Sequence, residues 1–365
     1  MKLWAGVCAL ALGLASPALA QDWQKEWADT LQRAKGQPLV LAVHALEGHA
    51  PIVEAFQKRF PDIKVELTLQ GQTVTAPRVI TEQKNGIFAW DSWWGATGNM
   101  TTVVLPTGGF DKITDYMILP EVKDAQNWSA PDYLYTSDKG SYVFVHTHYE
   151  EAAVYFNKGA VKGFAPASID ALVDPRLKGL IAIRDPTKPN NGTSALAGVL
   201  KEKGPDFVNY LFGQMDPTVI DNPRQLTDAV MRGDKALIIG GSQDIVNQCR
   251  LAGACADVSK LPYGRYVLSR GVGVMKNAPH KDSTKVWINW LLSREGQETY
   301  VKIWAQHNST GAVSLRKDVP PDPKHLDSVP DYMKLDQYLL IATESGEATL
   351  KQVQSLYSAV KDRAR

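Results

Sequence analysis

Short apolar runs alternating with amphipathic stretches restrict this chain more than any other feature. Residues 38–43, PLVLAV, form an apolar run between polar flanks and predict a buried strand. Gly48, His49, Ala50 and Pro51 then open an amphipathic segment with Ile52, Val53, Ala55, Phe56 and Phe60 on its apolar side. Pro51 falls in the first helical turn, where its missing N–H costs nothing. Pro61 and Asp62 turn the chain, and KVELTL (64–69) alternates as a strand does. Strand, helix and strand in succession predict a right-handed crossover and a parallel pair. The pattern continues with a helix at 74–84 closed by Asn85 and Gly86, a strand at 87–94, and extended runs at 142–146 and 152–157. Strands and helices go on alternating through 168–173, 179–184, 193–203, 206–215, 225–232 and 236–239. Residues 265–275 are again extended, 281–294 and 295–306 are helices, 319–330 is proline-rich, and 346–364 is a last helix. Such alternation specifies an α/β fold, with helices layered on mainly parallel sheets. The sequence carries no internal repeat.

The 365 residues exceed what one hydrophobic core comfortably holds, which predicts two lobes. Residues 1–20 have the three parts of an export signal: Lys2, an apolar run at 3–14, and Ala18-Leu19-Ala20 in small-x-small form. The run is shorter than the ~20 residues a membrane span needs. Cys8 lies inside that run and follows Val7, which does not fit a lipid-anchor signal. Cleavage after Ala20 therefore leaves a soluble periplasmic protein beginning at Gln21. It removes one basic residue and no acid, leaving 39 of each. This balance offers no basic patch for nucleic acid or an anionic membrane. Cys249 and Cys255 remain, and an even count in an exported chain suits one disulfide closing a small loop. Two free buried thiols are the alternative.

In open α/β sheets a ligand sits beyond the carboxyl ends of the strands. Four such ends carry small or polar residues and then open a helix: 44–49, 95–99, 190–194 and 241–244. Helix N-termini present N–H groups and partial positive charge, so a cluster of them favours an anion, although any single one is an ordinary cap. The candidate contacts are His44, Glu47, Gly95, Asn191, Thr193, Ser194, Gly241, Ser242 and Gln243. Trp93 and Trp94 join them, because indole rings at a strand end can wall a cleft. Strand alternation turns one of the two toward the core. Arg184 and Arg270 are placed either to clamp a carboxylate or phosphate or to act as hinge ion pairs. Asp91 is placed to cap or to pair with Arg78.

Several stretches, taken in order, resemble the family 1 extracellular solute-binding proteins, the group that contains the ferric-iron-type periplasmic binding proteins. HAPIVEAFQKRFPDIKVELTL (49–69) resembles the family's first helix and second strand, and PRVITEQKNGIFAWDSWWG (77–95) its next helix and strand. VYFNKGAV (154–161) and ALVDPRLKGLIAIRDPT (171–187) resemble the entry into the second lobe. SRGVGVMKNAPH (269–280) and KVWINWLLSREGQETY (285–300) resemble the return to the first. The resemblance spans residues 38–318. It implies two α/β lobes joined by crossover strands, with the ligand cleft between them. Lobe one would comprise 21–148 plus 268–365, and lobe two 149–267. It further implies the solute-binding subunit of an ABC importer, which closes by hinge motion on a small ligand and delivers it to a permease in the inner membrane.

Iron-binding members of that family use adjacent tyrosines in lobe two. Here Tyr155 precedes Phe156, and Tyr263 and Tyr266 are not adjacent. Tyr155 is kept as a ligand contact, an anion is the expected ligand, and ferric iron is the alternative. His44, Glu47 and His49 lie in one loop, and His146 and His148 share a face of an extended run. No metal site is assigned to them. The chain has no G-x-S-x-G, phosphate-loop or H-E-x-x-H motif. The expectation is a monomeric binding protein without cofactor, with a secreted hydrolase or lyase as the reading from another class.

Overall fold

The computed structural model describes residues 17–363 apart from 47, 137–139, 151–152, 189, 243–244, 247–248, 250–252, 254, 262–265, 308–311, 324–325, 327–328 and 342. Two sheets organise it. In the first, β1 (Pro38–His44) lies between β2 (Lys64–Gln70) and β3 (Ser92–Ala96), and is parallel to both. Beyond β3 runs the antiparallel β11 (Tyr266–Met275), which also pairs with β4 (Phe110–Asp111), β5 (Val143–Glu150) and β12 (Leu339–Leu340). The second sheet has the order β10-β6-β9-β7-β8, from β6 (Val154–Asn157), β7 (Ile181–Ile183), β8 (Thr218–Val219), β9 (Leu237–Ile239) and β10 (Val258–Lys260).

Set side by side, the two sheets repeat one plan. β11-β3-β1-β2 corresponds to β6-β9-β7-β8: a first strand flanked by its parallel second and third, then an antiparallel strand. The chain passes between sheets twice, from β5 to β6 and from β10 to β11. Sheet topology thus repeats where sequence does not, because period and burial recur while side-chain identity drifts.

Side-chain alternation along β3 explains two cores in lobe one. Trp94 points with Val43 into a cluster containing Ile52, Phe56, Trp287, Tyr300 and Trp304, under the helices His49–Arg59, Lys281–Leu292 and Arg294–His307. Trp93 points with Ala42 the other way, onto Ala76 and Val79 of the helix Gln72–Lys84 and onto Met100, Val104 and Phe110. Both indoles are fully buried.

Three departures from the sequence-based expectations have clear causes. Residues before β1, for which the sequence pattern specified no element, form a helix, Pro17–Ala34, which runs through Ala18-Leu19-Ala20. Its Trp27, Leu31 and Ala34, at helical spacing, pack on the first core. Residues 1–16, most of the expected export signal, lie outside the described residues. Residues 87–91 are not strand, and β3 begins only at Ser92. The last helix, Glu344–Arg363, packs through Val353 and Tyr357 into the core of lobe two, against the helices Asn191–Lys203 and Pro205–Gln214. Assigning all of 268–365 to lobe one is therefore too inclusive. Cys249 and Cys255 form a disulfide across a Cα–Cα distance of 5.7 Å. Among the described residues, no helix is long and apolar enough to cross a membrane.

Candidate functional site

A doubly wound sheet opens a crevice where strand order reverses, because the connections from two neighbouring strands depart to opposite faces. In lobe one that point lies between β1 and β3, at His44 and Gly95. In lobe two it lies between β7 and β9, at Arg184 and Gly240. The glycines are needed for close approach. A Cβ on Gly95 would stand 2.6 Å from Cβ of His44, and one on Gly240 2.7 Å from Cγ of Arg184. His44 and Arg184 thus hold corresponding positions in the two lobes.

On lobe two the polar groups knit the crevice edge together. Arg184 donates from Nη1 to Oδ1 of Asn191 at 3.1 Å and from Nε to the Asp221 carbonyl at 3.1 Å. Asn191 donates from Nδ2 to the Gly241 carbonyl at 3.0 Å. The Ser242 N–H donates to Oγ1 of Thr227 at 2.9 Å, while Oγ of Ser242 accepts from the Ile245 N–H. An accepting hydroxyl still has its own hydrogen to donate. The structure therefore brings Arg184, Asn191, Gly241 and Ser242 together.

Thr193 and Ser194 are turned away. Oγ1 of Thr193 donates to the Lys188 carbonyl at 2.6 Å and Oγ of Ser194 to the Asn190 carbonyl at 3.2 Å. The cap is Asn190, whose Oδ1 accepts from the Thr193 N–H. Tyr155 is also a correction. Its ring is buried among Leu226, Ile238 and Val258, and supports Gly241 from beneath. Gln243 lies outside the described residues.

On lobe one His44 and Gly95 meet as expected, whereas Trp93 is a core side chain and does not wall the crevice. Trp94 is equally buried, but its Nε1 donates to Nε2 of His146 at 2.9 Å. That nitrogen is therefore an acceptor, and the other, Nδ1, donates to Oγ1 of Thr147, which in turn donates to the Val313 carbonyl. His148 is held between Oγ of Ser269 and the Tyr133 carbonyl. Both histidines spend their ring nitrogens inside the protein. Asp91 does not pair with Arg78. It accepts from the N–H groups of Val40 and His280 and from Nδ1 of His280, while Arg78 pairs with Glu82.

Arg270 is the fixed charge behind this wall. It is 2 % exposed, with its guanidinium 4.2 Å from the ring centres of both Tyr149 and Trp304. Burial, reinforced by Arg270, holds His44 down at about 4, His146 at about 3, and His49 well below its ordinary value. Burial alone accounts for His148 at about 4. These imidazoles are neutral at neutral pH. The His49 ring sits edge-on to Trp94 and Trp304, at 4.5 and 4.8 Å between ring centres.

Gln70 was not among the candidates. It pairs in register with His44, and Gln72 donates to the Ala96 carbonyl. The signal was present, since a polar residue closes KVELTLQ just before Gly71. Among the described residues, no group of three or more His, Cys, Asp and Glu is placed to hold a metal. Glu47 and Tyr263, on which an iron site would draw, lie outside them.

Residues 51–327 match the family model described as bacterial extracellular solute-binding protein. Iron-bound HitA from Pseudomonas aeruginosa is 18 % identical with a TM-score of 0.63, over 88 % of this chain and 99 % of that one. AfuA from Actinobacillus pleuropneumoniae, with fructose-6-phosphate bound, is 19 % identical with a TM-score of 0.61, over 89 % and 99 %. PotD, a spermidine/putrescine ABC transporter substrate-binding protein from Streptococcus pneumoniae, is 13 % identical with a TM-score of 0.66, over 90 % and 100 %. An uncharacterised Haemophilus influenzae relative is 29 % identical over 141 residues, a match covering 38 % of this chain and 40 % of the relative's length.

Proposed function

Since the chain belongs to the bacterial extracellular solute-binding protein family, we propose that it captures a small organic anion between its lobes in the periplasm and hands it to the membrane permease of an ABC importer. It acts as a single copy and does no chemistry on its cargo. The observation that carries the anion is Arg184. Its guanidinium sits at the crevice edge of lobe two, bonded to Asn191 at the start of the helix Asn191–Lys203, which in turn holds the Gly241 carbonyl next to Ser242. A guanidinium offers paired N–H donors to a carboxylate or phosphate, and a helix start adds to the favourable potential. Part of that charge is met by the Asp221 carboxylate, 3.9 Å from Nη2 of Arg184. Asn191 positions Arg184 and ties it to Gly241, so the donors are set before the ligand arrives. Calorimetric titration of phosphate esters and carboxylates checks this. A charge-assisted hydrogen bond contributes ~1.5–3 kcal/mol, so Arg184→Gln and Ser242→Ala should each weaken binding by about tenfold or more. Equal binding by wild type and both variants, or a metal ion as the cargo, refutes the anion.

A further inference from the structure

We infer that lobe one grips the uncharged end of the cargo: His44 and Gln70 form a hydrogen-bonding shelf for hydroxyl or amide groups, so the ligand is an organic anion bearing such groups and not a simple oxyanion. This rests on the anion reading of Arg184 and adds what lies opposite it.

The topological correspondence between lobes supplies the first argument. At equivalent crevice positions lobe two places Arg184 and lobe one places His44. A symmetric anion such as phosphate has no use for that difference. Burial and the nearby Arg270 keep His44 neutral, so lobe one offers hydrogen bonds without a second mobile charge.

The second argument is a set of unmet hydrogen-bonding groups. His44 and Gln70 are cross-strand partners on adjacent parallel strands, so their side chains leave the same face of the sheet. Gly95, next to His44, adds no side chain to that row, because a Cβ there would stand 2.6 Å from Cβ of His44. Nδ1 of His44 and Oε1 of Gln70 are both buried without a hydrogen-bond partner. Buried polar atoms are nearly always paired, and leaving one unpaired is costly. Two such residues, at the carboxyl ends of neighbouring strands, point to groups supplied from outside the fold. Oε1 of Gln70 can only accept, while a neutral imidazole nitrogen accepts or donates according to tautomer. A hydroxyl, which does both, satisfies the pair.

A ligand ladder tests this on the full-length mature protein. Thermal-shift and calorimetric titrations would compare inorganic phosphate, methyl phosphate, glycerol 3-phosphate and glucose 6-phosphate, with acetate and gluconate as the matching carboxylates. In wild type the hydroxylated anions should bind at least about tenfold more tightly than the bare ones, a difference of ~1.4 kcal/mol. His44→Phe and Gln70→Leu should erase that ratio, bringing the affinity of the hydroxylated anions down to that of the bare ones. His44→Asn, which keeps a polar group, should retain part of it. Equal binding of bare and hydroxylated anions by wild type overturns the inference without any variant. So does an undiminished ratio in both His44→Phe and Gln70→Leu. If no anion binds, or if Arg184→Gln leaves every affinity unchanged, it is the anion reading that fails.

Discussion

Trp93 and Trp94 are neighbours in the chain and strangers in the fold. One fills the core beneath the helix Gln72–Lys84, and the other fills the core beneath three helices and tethers His146. Trp93→Ala should therefore cost about 3–5 kcal/mol of stability, measured by denaturant unfolding, and leave ligand affinity intact. A loss of affinity at unchanged stability would move Trp93 to the crevice. The histidines make a second residue-scale case. His146 and His148 have folded-state values of about 3 and about 4, below the ordinary 6.5 of an unfolded chain. Below pH 6.5 the unfolded state binds protons that the folded state refuses, so stability is greatest above that pH and is lost as pH falls toward 4. Each of the two should contribute roughly 1.4 kcal/mol per pH unit within that window. Unfolding midpoints taken at several pH values should fall accordingly, and His148→Gln should flatten the slope by one proton. An unaltered slope would mean that His148 is not kept neutral. Gly95→Ala should weaken binding and lower the melting temperature, since the new methyl meets Cβ of His44 at 2.6 Å.

At the scale of elements, the C-terminal segment does more than close lobe one. β12 extends the first sheet beside β11, and the helix Glu344–Arg363 then crosses onto lobe two. Nζ of Lys201, on lobe two, donates to the Tyr338 carbonyl at 2.6 Å just before that crossing. Tyr357 stacks edge-on with Phe212 at 5.1 Å between ring centres. Tyr357→Ala should therefore destabilise by about 3–5 kcal/mol. Amide hydrogen exchange should show the loss of protection concentrated in 191–214. Protection lost from 281–307 instead would place the helix on lobe one.

At the scale of the molecule, two strand crossovers and this third segment join the lobes, an arrangement suited to closure by small rotations at the joints. Addition of a tight ligand should therefore reduce the radius of gyration in solution scattering. An unchanged value would mean that the crevice is already closed or that the lobes do not move. The disulfide Cys249–Cys255 closes a small loop of lobe two. Its reduction should cost about 2 kcal/mol of stability on the loop-entropy account. Once residues 1–20 are removed, the unfolded, unreduced protein should titrate no thiol, and two titratable thiols would refute the bond.

What the chain alone determined was local. Period and turn residues placed β1, β2 and the helices Asn191–Lys203 and Pro205–Gln214 within a few residues, because a strand or helix answers to neighbours a few positions away. The rule that ligands gather at strand ends likewise marked His44, Gly95, Asn191, Gly241 and Ser242 as candidates, since it needs only the direction of each strand. Tertiary structure decided what depends on distant partners. Which face of β3 each indole takes was settled by the two cores on either side. Whether Thr193 or Asn190 caps a helix was settled by which side chain reaches the free N–H first. Gln70 became a crevice residue only when β2 paired with His44 in register, and Arg184 became its counterpart only when the second sheet repeated the order of the first. Such choices join residues far apart in sequence, so they are fixed by packing, which no local pattern encodes.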